Sequence, residues 1–312
     1  MRVISAAQID GALGYPAFVE TLGAAFRAGV TTPVRHHHEI AREGHDATLL
    51  LMPAWTGAED FLGVKVVSVF PENGARGLPS VLGTYLLMDG ATGAPLACLD
   101  GTRLTLWRTA AASALAASHL ARADAARMVM VGSGALAPFL VRAHASVRPL
   151  QDVAVWNRRP GGAEALARDL TGRGVPARAV TDLEAAVREA DLVSCATLAR
   201  EPVVHGAWLK AGAHLDLVGA FNLHMREADD AALQRAEVYV DTPAALTEGG
   251  DVALGLKSGA ITESHVRGDL AGLCRGTAPG RSGPEAITLF KSVGTALEDL
   301  AAAMAVWRAV AG

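Results

Sequence analysis

The stretch VMVGSGALA, Val129–Ala137, decides how the middle of the chain folds. A β-rich run ends in it and a helical run, ALAPFLVRAHASV (135–147), leaves it. Gly132 and Gly134 take the first two places of G-x-G-x-x-A, and Ala137 takes the third. The first glycine allows a tight turn. The second, with Ala135 beside it, lets the backbone approach a pyrophosphate at a helix N-terminus. The small third residue lets helix pack closely on strand. A lone motif of this kind is weak, because a tight turn without a ligand reads the same way. Its surroundings strengthen it. RMVMVG (127–132), DVAVWN (152–157), VPARAV (175–180), LVSCAT (192–197), HLDLVG (214–219) and EVYVDT (237–242) read as strands. Helical segments such as GGAEALARDL (161–170) and DLEAAVREA (182–190) separate the first of them. This alternation predicts βαβ units and a parallel sheet covered on both faces, so the fold class is α/β with a Rossmann-type dinucleotide-binding domain.

The end of the second strand bears on which dinucleotide binds. A site for NAD usually places Asp or Glu there, about twenty residues beyond the motif, for the ribose 2′-hydroxyl. This chain has Asn157, Arg158 and Arg159 instead. Two guanidiniums can grip a 2′-phosphate that a carboxylate would repel. NADP(H) is therefore the preferred cofactor. NAD(H), held through Asn157 with two solvated arginines beside it, is the alternative.

The 312 residues suffice for two compact domains. A net charge of −4 and the lack of a basic stripe argue against a nucleic-acid partner. Cys98, Cys195 and Cys274 stand far apart among apolar neighbours, which predicts small buried hydrophobes rather than disulfides or a zinc site. The N-terminus lacks a signal-peptide pattern, and the longest apolar run is broken by glycine and proline. No membrane association and a cytoplasmic location are expected.

Before Arg127 the pattern changes. A helix is predicted over Tyr15–Ala28, then strands in ATLLLMPAW (47–55), FLGVKVVSVF (61–70), VLGTYLLMD (81–89) and APLACLDG (94–101), the last two joined by a turn. This reads as an antiparallel α+β domain. An alanine-rich helix, TAAASALAASHLA (109–121), links it to the parallel domain, and a final helix is expected over ITLFKSVGTALEDLAAAMAVWRAV (287–310), packing back on the first domain. The expected domains are thus 1–113 with 285–312 for substrate binding and dimerisation, and 114–284 for NAD(P).

Several stretches resemble the ornithine cyclodeaminase and mu-crystallin family, in order and over essentially the whole chain. They are GVKVVSVFPEN (63–73), GLPSVLGTYLLMDGATGAPLACLDG (77–101), TLWRTAAASALA (105–116), the glycine motif and LFKSVGTALEDL (289–300). The resemblance implies a homodimer built through the discontinuous domain. It also implies substrates that are amino acids or cyclic imino acids with an α-carboxylate.

Residue chemistry agrees. Arg108 stands among apolar residues near a helix start, where a buried guanidinium must meet an anion, either a ligand carboxylate or an internal salt bridge. Arg35 matches the arginine after Pro-Val in mu-crystallin-like sequences and is the second carboxylate candidate; otherwise it is an exposed strand arginine. Lys65 sits in an otherwise apolar strand, and the resemblance puts the family's catalytic lysine there. Desolvation and the two arginines would lower its pKa towards proton exchange near neutrality. Thr109 is read either as a donor to a cofactor phosphate or as a helix cap. Ser292, with Gly294, matches a position near the nicotinamide, or else serves close packing.

One departure matters. Cyclodeaminases resemble VGGDxPGKxE after the fifth Rossmann strand, whereas this chain reads LVGAFN, with Phe221 at the aspartate's place. An apolar residue cannot activate water but suits the methylenes of a cyclic imine; His224 nearby is a candidate partial substitute. The expected activity is NAD(P)H-dependent reduction of Δ1-pyrroline-2-carboxylate or Δ1-piperideine-2-carboxylate. The alternatives are ornithine cyclodeamination, amino-acid dehydrogenation, or a non-catalytic mu-crystallin-like binding protein. His36, His37 and His38 alternate across an expected strand; even with His45 they lack the company of a metal site, and none is expected.

Overall fold

The computed structural model describes residues 1–57 and 60–311. It has two compact units, Met1–Arg108 with Thr295–Gly312, and Thr109–Gly294. The first unit runs β1 (Arg2–Ile4), α1 (Ala6–Ala12), α2 (Tyr15–Ala28), β2 (His36–Ile40), β3 (Ala47–Trp55), β4 (Phe61–Val69), β5 (Val81–Asp89) and β6 (Pro95–Asp100). Helix α3 (Gly101–Leu120) carries the chain onward. The second unit continues with β7 (Arg127–Val131), α4 (Ala137–Ala145), β8 (Asp152–Trp156), α5 (Pro160–Gly172), β9 (Ala177–Ala179), α6 (Leu183–Glu189), β10 (Leu192–Cys195) and β11 (His214–Leu217). It closes with α7 (Asp230–Arg235), β12 (Ala236–Val240), α8 (Gly250–Ser258), β13 (Val266–Asp269), α9 (Leu270–Arg275) and β14 (Ile287–Lys291). The chain ends in the first unit with α10 (Ala296–Ala311).

The first unit is built on a six-stranded sheet in the order β1-β6-β5-β4-β3-β2. All its neighbours are antiparallel except β1 and β6. Alternation sorts its two faces: on β4, Gly63, Lys65 and Val67 are buried while Val64, Val66 and Ser68 are half-buried. Helix α10 covers the buried face, lying over β3, β4 and β5 and against α1 and α2. Gly63 is small for a reason: a Cβ there would come within 2.4 Å of the Tyr85 hydroxyl.

The second unit is α/β, with an eight-stranded sheet in the order β13-β12-β14-β11-β10-β7-β8-β9, parallel throughout. Its central strands are buried on both faces, which is why they read as continuous apolar runs. From β7 the chain winds outward through β8 and β9, then returns to place β10 on the other side of β7. The C-terminal ends of β7 and β10 therefore flank the topological switch point, where open α/β sheets bind ligands. Beneath it, buried Asp216 of β11 accepts hydrogen bonds from Ser113 of α3 (2.9 Å), Ser194 of β10 (2.6 Å) and His144 of α4 (3.2 Å), fastening both helices to the sheet.

Three expectations change. ITLFK is not the start of the last helix; it is β14, buried between β11 and β12. Its β-branched and aromatic residues suit a strand buried on both faces. The boundary expected at 285 therefore moves to 295. Helix α3 begins at Gly101 rather than Thr109, so the boundary expected after 113 falls inside it and the units divide after Arg108. Arg108 and Thr109 are thus interior helix residues, and the capping alternative for Thr109 is removed. The short elements β1, α1 and β13 carry too little pattern to be read in advance.

Candidate active site

The glycine turn stands at the end of β7. Gly132 has φ 109°, a region open to glycine, and a Cβ there would come within 2.6 Å of the Ala196 carbonyl oxygen. Its N–H donates to the Trp156 carbonyl at 2.9 Å, tying the turn to the end of β8. Gly134 and Ala135 are exposed, and a Cβ on Gly134 would touch nothing within 4 Å. No packing among the described residues requires glycine at 134, and the space in front of its backbone is open. Helix α4 opens at Ala137 directly beyond the turn.

Asn157 and Ser133 converge over the first turn of α5: a Cβ on Gly162 would lie 2.5 Å from the Ser133 hydroxyl and 2.7 Å from the Asn157 amide nitrogen. Arg158 and Arg159 follow, exposed and without a carboxylate partner among the described residues. Two guanidiniums beside the N-terminus of α5 put positive charge at the positive end of a helix dipole, an arrangement that an anion relieves. The turn and the start of α4 are arranged as a dinucleotide site requires. Thr109, buried in α3, makes no side-chain hydrogen bond within the described chain.

At the end of β14, Ser292 donates to Asp241 at 3.0 Å. The same Asp241 oxygen accepts the N–H groups of Val293 at 2.7 Å and Gly294 at 2.5 Å. Ser292 thus takes part in a clamp that shapes its loop. A second clamp underlies the loop after β11. The Glu227 carboxylate accepts from the Thr197 N–H and hydroxyl and from the N–H groups of Gly219 and Ala220. Burial raises its pKa to about 7 against the pull of Lys291, which itself pairs with Asp251 at 3.0 Å. On this loop Phe221 is 42% exposed, so it is available to a ligand rather than core.

The first unit holds the densest chemistry. Lys65 projects from β4 onto the buried face, level with Met52 of β3 and Tyr85 of β5. Its ammonium lies 2.7 Å from an Asp299 oxygen. The other Asp299 oxygen accepts from Nε of Arg108 at 3.0 Å, and an Arg108 terminal nitrogen donates to Glu298 at 2.7 Å. All four side chains are buried. The internal ion pair stated as the alternative for Arg108 is therefore present. Removing such charges from water is expensive, and paired geometry with shared hydrogen bonds is what sustains it.

Electrostatics follow from the packing. Burial lowers Lys65 from the usual lysine range to about 8, Arg108 pushes the same way, Asp299 resists, and half-buried Arg35 adds to the lowering. Burial would raise Asp299, but Lys65 and Arg108 more than reverse this and hold it below the usual carboxyl value. The Tyr85 hydroxyl is fully buried, without a hydrogen-bond partner among the described residues, and its pKa is raised by burial and by Asp299. Lys65 and Arg108 are thus in one network and Arg35 within electrostatic reach. Glu298 and Asp299 were not anticipated. The available signal was a pair of acids in the first turn of an otherwise apolar helix.

The histidines lie where alternation predicted. His36 and His38 share a face of edge strand β2, their rings 6.4 Å apart, and all three are exposed. His45 pairs instead with Glu72 at 3.2 Å. Among the described residues no cluster of three or more His, Cys, Asp or Glu is placed to hold a metal, and no helix is long and apolar enough to cross a membrane.

The sequence profile of the ornithine cyclodeaminase/mu-crystallin family matches residues 3–312. A Delta(1)-pyrroline-2-carboxylate reductase of Paracoccus denitrificans is 41% identical, with 100% of this chain and 98% of the relative covered. The structure of the Thermococcus litoralis Delta(1)-pyrroline-2-carboxylate reductase, in complex with NADH and L-proline, superposes with a TM-score of 0.94 at 34% identity, covering 100% of this chain and 98% of that one. An archaeal alanine dehydrogenase dimer with bound NAD gives a TM-score of 0.92 at 28% identity, with coverage of 100% and 96%.

Proposed function

The chain belongs to the ornithine cyclodeaminase/mu-crystallin family, and on that premise we propose that it reduces a cyclic ketimine carboxylate with a nicotinamide cofactor. The substrates are Δ1-pyrroline-2-carboxylate and its six-membered analogue Δ1-piperideine-2-carboxylate; the products are L-proline and L-pipecolate. The observation that carries this is the buried Lys65–Asp299–Arg108–Glu298 network with Arg35 nearby. Cations in one place suit an α-carboxylate, and a lysine near 8 suits proton transfer close to neutral pH. Similar relatives that carry the reductase name support the same reading.

Arg35 and Arg108 hold the carboxylate, and Lys65 gives its proton to the imine nitrogen. A protonated C=N carbon is the better hydride acceptor. When bound, the cofactor supplies that hydride. The C=N double bond thus becomes a C–N single bond with new hydrogens on carbon and nitrogen, and Lys65 regains its proton from water. Apolar and 42% exposed, Phe221 cannot activate water, which counts against ornithine cyclodeamination. Arg35→Ala tests this assignment. It is expected to raise KM for the imine roughly tenfold to a hundredfold, the worth of one charge-assisted hydrogen bond, and to leave KM for the cofactor unchanged. Equal effects on both would remove Arg35 from the substrate site.

Gly132, Gly134, Ala135, Thr109 and Ser292 serve the cofactor. Asn157, Arg158 and Arg159 give preference to NADP(H) through its 2′-phosphate. Changing Arg158 and Arg159 together to alanine is expected to raise KM for NADPH roughly tenfold to a hundredfold with little change for NADH. A parallel loss for both cofactors would contradict phosphate recognition. The protein acts as a homodimer, the second copy covering the half-buried sheet face that carries Val64, Val66 and Leu86.

A further inference from the structure

We propose that Asp299 is a positioning residue that makes proton loading of Lys65 depend on binding of the substrate's carboxylate. This rests on the reading of Arg35 and Arg108 as the carboxylate holders. One carboxyl group, entirely buried, is shared between two cations: one oxygen faces the Lys65 ammonium at 2.7 Å and the other faces Nε of Arg108 at 3.0 Å. Glu298, the preceding residue of α10, holds Arg108 from a second direction at 2.7 Å. The charged groups acting on Lys65 are Arg35, Arg108 and Asp299, and the buried Tyr85 hydroxyl stands opposite it on β5.

In this arrangement two positive charges work against a proton on Lys65 and one negative charge works for it. An α-carboxylate arriving at the arginines offsets the opposing pair at short range in a poorly screened interior. Asp299 is left as the dominant influence, and Lys65 takes up the proton it then delivers. The bound substrate thereby prepares its own acid, whereas the free enzyme keeps Lys65 partly neutral near pH 8. The limb at high pH should accordingly stand near 8 in kcat/KM, which reports the free enzyme, and higher in kcat, which reports the complex.

The test is calorimetric titration of the enzyme, saturated with reduced cofactor, at pH 8 in buffers of different ionisation enthalpy. The probe is pyrrole-2-carboxylate, a planar ring carboxylate that accepts no hydride. Its binding is expected to take up a measurable fraction of a proton per site, because Lys65 is only partly protonated beforehand. Binding without proton uptake overturns the coupling yet leaves the carboxylate site standing; no binding at all overturns both. Equal uptake with the uncharged pyrrole-2-carboxamide would also overturn it, by showing that charge is not the trigger. Asp299→Asn keeps the shape and removes the charge. It should move the high-pH limb of kcat/KM down by about one unit or more, and an unmoved limb would exclude Asp299 from this role.

Discussion

Replacing Lys65 by methionine is expected to lower kcat for imine reduction by about 10²–10⁴-fold, the usual worth of a placed general acid, with affinity for the reduced cofactor unchanged. Methionine keeps much of the unbranched aliphatic stem, so the buried face of β4 stays filled. Asp299 keeps Arg108 as its partner. The loss therefore reads the proton and not the fold. Lys65 lies in Met1–Arg108 and the glycine turn in Thr109–Gly294, so cofactor binding is an internal control. Turnover within a few-fold of the parent would show that the imine obtains its proton elsewhere.

The second large effect falls on stability. Arg108→Ala is expected to cost about 3–5 kcal/mol, because it takes the guanidinium away from two buried carboxylates, Glu298 and Asp299. The pH dependence gives the sign. Asp299 has a folded pKa below the ordinary aspartate value, so its pairing stabilises the protein above that ordinary value and the contribution is lost as pH falls through the lowered one. The parent's advantage should be full at neutral pH and narrow below about pH 4. Denaturant unfolding at pH 7 and at pH 3.5 measures it. An unchanged midpoint at pH 7 would mean that water, not the guanidinium, carries these carboxylates.

Much of this was legible in the sequence where period and residue type agree. The parallel sheet could be read because strands buried on both faces must be continuously apolar, as in RMVMV and EVYVD. The glycine turn could be read because Gly132 needs a backbone region closed to other residues. Lys65 stood out because one charge in GVKVVSVF has no local reason to be there. Long-range partners were not legible. Glu298 and Asp299 lie more than 180 residues from Arg108, and no spacing rule connects a helix at the end of the chain to one near its first third. The same limit hid Asp241 beneath Ser292 and Lys291 beside Asp251. The misread ITLFK shows the other limit: a short apolar run before a helix carries no period of its own, and burial between two strands decides it.

The most direct measurement is the initial rate of NADPH consumption by the purified protein on Δ1-pyrroline-2-carboxylate, with the product identified. The expected result is saturable consumption with one L-proline formed per cofactor oxidised. Folded protein that binds the reduced cofactor yet oxidises none, with either the five- or the six-membered imine, would contradict the assignment.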